Sequence, residues 1–221
     1  QLCKAFRHLL PERGQDRVFQ EIESPLLPVL TRMENYGVMI DVQVLREYGV
    51  ELDHRAVDLQ KRIHEAAGTA FNLNSPKQMG EILFERLKLL EKPKKTATGQ
   101  YQTNEQVLQS LAGTHPIIED ILNYREVTKL KSTYVDALPQ AVSSVTGRVH
   151  TSLHQLMTAT GRIASSNPNL QNIPIRSESG REIRKAFIPG EPGWVMMSAD
   201  YSQIELRVMA ALSGDTAMIE A

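Results

Sequence analysis

Apolar residues recur at helical spacing through most of the first 140 positions and alternate only later. Ser24-Pro25 reads as a helix start, with a capping side chain and proline in the first turn. Leu26, Leu27, Leu30 and Met33 follow at helical spacing, and Gly37 ends the run. Val38 to Ile40 reads as a short extended piece, after which Asp41 can cap a long helix. Leu45, Tyr48, Leu52, Ala56, Leu59, Ile63 and Ala66 recur every three or four residues up to Gly68. That helix would be roughly 40 Å long, and its narrow apolar seam fits one partner helix, as in an arm.

Ser75-Pro76-Lys77-Gln78 is a capping box, and Ile82, Leu83 and Leu87 form the buried face of the helix it opens. A polar loop follows, with Lys88, Lys92, Lys94 and Lys95 and a Thr-Ala-Thr-Gly tip. Thr103 to Gln106 reads as a second capping box, opening a short helix through Val107, Leu108 and Leu111 that Gly113 stops. From Pro116 a long helix runs through Ile117, Ile121, Leu130, Tyr134 and Leu138. Beyond Gly147 the period changes. Residues 148–153 alternate like a half-buried strand, 158–180 read as irregular backbone, and Lys185 to Ile188 is a strand candidate. Pro192-Gly193 is a turn, and Trp194 to Ala199 is apolar on both faces, as in a central strand ending at Asp200. A helix is expected from Ser202, with Ile204, Val208, Met209 and Leu212 inward. The sum is an α+β chain, mostly helical, with a few antiparallel strands.

Composition excludes several classes. Charged residues make up 23% and hydrophobic ones 41%, which a disordered chain does not show. The single cysteine, Cys3, excludes an internal disulfide and a thiolate zinc site. No apolar run approaches the length of a membrane span, so a reducing, cytoplasmic compartment and no membrane partner are expected. The chain begins with Gln1 and closes within helix-forming sequence, as a piece of a longer protein would. The formal net charge of −1 hides a gradient: residues 123–189 carry +5 and residues 190–221 carry −4. A basic stretch followed by an acidic one suits a polyanion held beside metal-binding carboxylates; clustered, solvated surface charge gives the same counts.

Three stretches carry candidate chemistry. Asp200, at the carboxyl end of an apolar strand, either caps the next helix or offers a hard oxygen ligand to a cation such as Mg²⁺, with the Tyr201 carbonyl as a second donor. Thr160-Gly161-Arg162 and the run Asn167 to Arg176 combine two arginines with four amides, the side chains that read base edges and bind phosphates. The helix start at Ser75 and Lys77, with the lysine loop behind it, could track a nucleic-acid backbone, or could be a solvated tip. His150 and His154 read as phosphate or polar core contacts.

Asp200-Tyr201-Ser202-Gln203-Ile204-Glu205-Leu206-Arg207 resembles the first catalytic motif of the A-family DNA polymerases. The strings Thr160-Gly161-Arg162 and Asn172-Ile173-Pro174-Ile175-Arg176 resemble that family at the matching upstream position. Phe71 to Gln78 and Lys129 to Tyr134 are similar to its thumb. The resemblance implies that residues 1–23 are the tail of a 3′–5′ exonuclease-like domain, 24–146 the thumb and its base helices, and 147–221 the first half of a palm. It implies template-directed transfer of nucleotides from dNTPs to a primer 3′-hydroxyl, in DNA replication and repair. Asp200 would be catalytic and, with Tyr201, would hold two Mg²⁺ ions. Arg176, Gln203 and Glu205 would face the dNTP, Glu205 excluding a ribose 2′-hydroxyl. Ser75, Lys77, Lys94, Lys95, Asn104, Lys131, His154, Arg162, Asn169, Gln171 and Asn172 would hold primer-template DNA.

Departures from the family pattern define what is expected of this chain by itself. The second metal-binding carboxylate and the dNTP-binding fingers helix would come from the remainder of the polymerase chain, and no Asp-x-Glu pair of a proofreading site occurs. The 221 residues alone are expected to be inactive, and those from about 190 onward to be less well packed than the thumb. A non-catalytic primer-template binding module and a single-subunit RNA polymerase are the alternatives; Glu205 argues against the latter.

Overall fold

The computed structural model describes residues 6–175 and 177–220. They fall into two compact units, Gln1–Ile188 and Pro189–Ala221.

In the first unit, a short helical turn at Leu9–Glu12 ends at Gly14, and a second at Asp16–Val18 runs through a π-helical segment at Phe19–Glu23 without a break into α1 (Ser24–Tyr36). The start expected at Ser24 is therefore not a cap. Glu23 is already helical and makes no capping side-chain bond. The widened π spacing falls directly before Pro25, which has no N–H to donate. Gly37, at φ 66°, then turns the chain, and a Cβ there would lie 2.7 Å from the Val149 carbonyl oxygen. Only glycine fits so close an approach at positive φ.

β1 (Val38–Ile40) leads into α2 (Val42–Ala67). The Asp41 carboxylate accepts the N–H groups of Gln43 and Val44 at 2.9 and 3.2 Å, and Gly68 in the left-handed conformation ends the helix. Both ends lie where the sequence puts them. α3 (Pro76–Gly80) continues as a π segment, Glu81–Arg86. α4 spans Glu105–Ser110. α5 (Pro116–Leu130) continues through a π segment at Lys131–Val135 to α6 (Ala137–Gln140), so the long helix expected from Pro116 forms with its last turns distorted.

α2 packs mainly on α5. Leu45, Tyr48, Leu52 and Leu59 join Val127, Leu130, Tyr134 and Leu138 in one apolar cluster. Ile63 and Ala67 join Leu83, Leu108, Ile117, Ile118 and Ile121 in a second.

β2 (Arg148–Val149) and β5 (Phe187–Ile188) flank β1 in an antiparallel sheet, with Val38 opposite Val149 and Ile40 opposite Phe187. β3 (Ser152–His154) and β4 (Ala164–Ser166) form a separate antiparallel hairpin. The single strand expected over 148–153 is thus divided between two sheets. His150 and Thr151, between β2 and β3, bond sideways: the His150 Nδ1–H to the Glu34 carbonyl at 2.7 Å, the Thr151 hydroxyl to the Pro168 carbonyl at 2.8 Å. The stretch expected to be irregular up to 180 ends in a helix, α7 (Glu178–Lys185), capped by Ser177. It has few apolar positions, Ile183 among them, so periodicity does not announce it.

In the second unit, Trp194–Ala199 is not a strand. Val195 and Met197 are 84% and 85% exposed. Among the described residues no strand pairs with it, and a segment apolar on both faces needs neighbours on both sides to be a central strand. The helix expected at Ser202 begins two residues later, as α8 (Ile204–Ser213), followed by α9 (Thr216–Glu220). Its expected inward residues Ile204, Val208, Met209 and Leu212 are all exposed, and Ala210 is the unit's buried side chain among the described residues.

Leu52 is fully buried on the α2 seam and Val57 is 63% exposed. Leu52→Ala is expected to lower unfolding free energy by about 2–5 kcal/mol, and Val57→Ala to change it by no more than about 0.5 kcal/mol. Urea unfolding followed by circular dichroism measures both, and equal losses would contradict the seam.

Candidate nucleic-acid interface

The end of the first unit that carries α3 and the lysine loop is built on a close stack of side chains. The Ser75 hydroxyl accepts the Gln78 N–H at 3.4 Å and caps α3. The reciprocal half of the expected capping box does not form: the Gln78 side-chain oxygen accepts the Asn72 N–H at 2.7 Å, and the Ser75 N–H goes to the Asn72 carbonyl at 3.0 Å. Tyr101 then lies on Gly80, where a Cβ would be 2.7 Å from the Tyr101 Cβ, and its ring also meets Phe84. The Lys95 ammonium sits 4.5 Å above the Tyr101 ring, and Lys95 and Tyr101 are bridged backbone to backbone. The lysine loop is therefore seated against α3, and it brings Lys94 and Lys95, both exposed, to the end that carries Ser75 and Lys77. Lys77 lies 4.0 Å from Glu81 and stays 70% exposed, so its charge remains available.

Asn104, not Thr103, caps α4, its side chain accepting the Val107 N–H at 3.0 Å. Thr103 is buried and its carbonyl takes a hydrogen bond from Arg125. Burial lowers the pKa of that guanidinium from its usual value. Asn104 is exposed and keeps its amide N–H groups for a ligand. Lys131 differs from the other lysines. It lies 2.9 Å from Asp136 and 3.5 Å from Asp53, and the hydrogen bond to Asp136 raises its pKa above the ordinary value.

The β3–β4 hairpin gathers most of the other expected DNA contacts. His154 is half-buried and bonds through Nε2 to the Ser166 hydroxyl at 2.7 Å. Gln171 folds back on the loop: its amide donates to the Ile163 carbonyl at 2.8 Å and accepts the Ser165 N–H at 3.0 Å. Asn169 accepts the Gln171 N–H at 2.9 Å, closing a side-chain turn. The Asn172 carbonyl takes the hydroxyl of Tyr134, whose pKa burial raises, so the phenol stays a donor. Arg162, Asn169, Gln171 and Asn172 are all exposed. Arg176 lies outside the described residues.

In the second unit, Asp200, Tyr201 and Gln203 are exposed in the irregular stretch before α8, and Glu205 is exposed in the first turn of α8. Gln203, at φ 52°, is the N-cap residue and no side chain caps the helix, so the capping reading of Asp200 does not hold. Arg207 Nε donates to the Ser202 carbonyl at 3.1 Å and fixes the turn from within. Among the described residues no three His, Cys, Asp or Glu side chains form a metal-sized group.

Sequence reasoning missed Tyr101, which seats the lysine loop, and Thr151, whose hydroxyl also meets the Ser165 hydroxyl at 2.7 Å. It missed Glu23 and Glu34 too. Their partners lie 132 and 119 residues away, so no local spacing marks them.

These features place the chain in a known class: residues 42–221 match the sequence model of DNA polymerase family A, and the chain belongs to that family. It is 51% identical over 212 residues to DNA polymerase I of Geobacillus stearothermophilus, covering 96% of this chain and 24% of that protein. It is 48% identical over 209 residues to the thermostable DNA polymerase I of Thermus aquaticus, covering 93% of this chain and 25% of that one. Among solved structures it resembles the POL domain of Pol1 from M. smegmatis in complex with DNA primer-template and dNTP, at a TM-score of 0.90 and 42% identity over 99% of this chain and 38% of that one. The chain thus spans about a quarter of the length of these curated relatives. No helix among the described residues is long and apolar enough to cross a membrane.

The two kinds of lysine should separate by experiment. Lys94→Ala with Lys95→Ala is expected to weaken DNA binding for any sequence and to lower the slope of log affinity against log salt by about 2, near 0.9 per lost phosphate contact. Lys131→Ala is expected to act on stability. Its raised pKa means that its ion pairs contribute in full from above the carboxylate range up to 10.5, the ordinary lysine value, and that this contribution fades as pH rises through the raised value. With Asp53 and Asp136 well exposed, the loss at pH 7 is no more than about 1 kcal/mol. Salt titrations of DNA binding, and thermal melts at pH 7 and 11, measure these effects.

Proposed function

We propose that this chain supplies the DNA grip and one catalytic carboxylate of a DNA polymerase that extends a primer with dNTPs, in replication and repair. The observation that carries the reading is one continuous family match over residues 42–221, which takes in both the exposed start of α8 with Asp200 before it and the hairpin segment around Arg162. The structural neighbour bound to primer-template and dNTP supports the same partners. On this reading residues 1–23 end an exonuclease-like domain, 24–146 form the thumb and its base, and 147–221 open the palm.

Lys77, Lys94 and Lys95 neutralise backbone phosphates, which positions the duplex without regard to sequence. Arg162 donates to minor-groove acceptors near the primer terminus, where the acceptor pattern is nearly the same for every base pair. Arg176 and Gln203 face the triphosphate. Glu205 fills the space of a ribose 2′-hydroxyl, because steric exclusion discriminates against one added hydroxyl better than attraction does. Asp200 and the Tyr201 carbonyl are hard oxygen donors of the type Mg²⁺ takes, and they fit part of a two-ion site that needs a further carboxylate. Bound there, Mg²⁺ supplies activation of the primer 3′-hydroxyl and charge neutralisation of the leaving pyrophosphate.

In the longer polymerase that carries this chain, Asp200→Ala is expected to cut primer extension by more than the about 10–100-fold that loss of an outer-shell partner costs, with primer-template affinity little changed. The 221 residues alone are expected to give no extension. Mg²⁺-dependent synthesis by the isolated chain, or full activity after Asp200→Ala, would overturn the assignment.

A further inference from the structure

The hairpin that presents residues 155–163 has two strands, and a two-stranded hairpin is marginal by itself. Leu153 and Ser165 are directly opposite each other. Both turn their N–H groups outward, as a non-hydrogen-bonded pair does. On one edge the Ser165 N–H goes to Gln171 at 3.0 Å. On the other, the Leu153 N–H goes to the Glu34 carboxylate at 2.6 Å. Glu34 lies in the last turn of α1, and its own carbonyl accepts His150 Nδ1–H at 2.7 Å. Glu23, the last residue of the π segment that leads into α1, receives the Gln155 amide twice, at its carboxylate (2.6 Å) and its carbonyl (3.0 Å).

Glu23 and Glu34 are 11 residues apart, close to three full turns of the continuous helix that the π segment and α1 form, so both meet residues 153–155 from one face. Beyond Gln155 the loop is exposed at Leu156 and Met157, and Thr158 bonds only within it, its hydroxyl to the Arg162 carbonyl at 2.7 Å. The base of the segment is thus held from two sides, by Gln171 on the outgoing strand and by two glutamates on the incoming one.

We propose that Glu34 and Glu23 are positioning residues for the segment carrying Arg162: they fix the incoming strand of the hairpin so that Arg162 meets the duplex in one register. What that segment binds rests on the polymerase reading; that the glutamates pin it does not.

The test uses the longer polymerase containing this chain. Glu34→Ala should raise the primer-template Kd about tenfold, the equivalent of one hydrogen bond to a charged group. The KM for dNTP should stay within about twofold, since binding energy is lost at the DNA and not at the triphosphate. Glu34→Gln, which keeps a carbonyl acceptor for the Leu153 N–H, should restore most of the affinity. Glu34→Ala combined with Arg162→Ala should bind no worse than Arg162→Ala alone, because the glutamate acts through the loop. Hydrogen exchange should quicken about tenfold at amides 153–163 in Glu34→Ala and stay unchanged in α2. Should Glu34→Ala not fold, Gln155→Ala, which leaves α1 intact, carries the same expectations. Additive losses in the double variant, or unchanged exchange at 153–163, would overturn the pinning. A neutral Arg162→Ala would remove the DNA-binding reading of the loop, and the exchange result would then decide the pinning by itself.

Discussion

The apolar seam between α2 and α5 is the interaction on which the first unit depends. α2 and α5 each enter both apolar clusters: α2 through Leu45 to Leu59 in one and Ile63 and Ala67 in the other, α5 through Val127 and Leu130 in the first and Ile117 to Ile121 in the second. Each cluster supports a different part of the candidate interface. The first holds Val149 of β2, Ile173 after the hairpin and Ile183 of α7; the second holds Leu108 of α4 and Phe84, whose ring meets Tyr101 at the end of the lysine loop. A single stiff rod capped firmly at Asp41 and Gly68 therefore sets the spacing between two surfaces that lie far apart in sequence.

Magnitudes separate two tasks within that frame. A buried leucine contributes about 1.5–3 kcal/mol, whereas a typical hydrogen bond nets about 0.5–1.5 kcal/mol. The seam consequently decides whether the unit folds. The long-range polar ties, Arg125 to Thr103, Tyr134 to Asn172 and Glu34 to Leu153, decide where particular backbone segments lie once it has folded. Each joins a helix to a segment with little regular structure of its own. Each places a donor or acceptor on backbone that would otherwise be unpaired. That is why they cluster around 103, 153 and 172, at the edges of the candidate interface.

This division also explains what was legible in the sequence. Caps and periodicity are local, so Asp41, Ser75 and the inward residues of α2 could be read directly. The exposed Asp200 turn and the lysine loop were legible because their residue types are unusual together. Where two neighbours could serve, as at Thr103 and Asn104, the choice went to the one not needed in the core: Thr103 is buried, so Asn104 caps. α7 was invisible because so little of its surface is apolar, and the divided strand because His150 and Thr151 answer to partners on other elements. The resemblance to the family puts Lys131 among the DNA contacts, and in the structure Asp53, more than seventy residues away, and Asp136 share its charge.

The segment Trp194–Ala199 shows the same principle from the opposite side. Its composition specifies a strand covered on both faces, but propensity alone does not make one; hydrogen-bonded neighbours and apolar cover do. Without them among the described residues, the backbone is irregular and Val195 and Met197 face solvent. Two-ion chemistry needs its carboxylates held to within about 0.5 Å of the productive geometry, and such precision comes from regular elements. Arg207 fixes the turn after Asp200, but nothing regular precedes it. The strand that would carry Asp200 and the second carboxylate that would face it are therefore one requirement: the sheet that completes the first is the natural scaffold for the second.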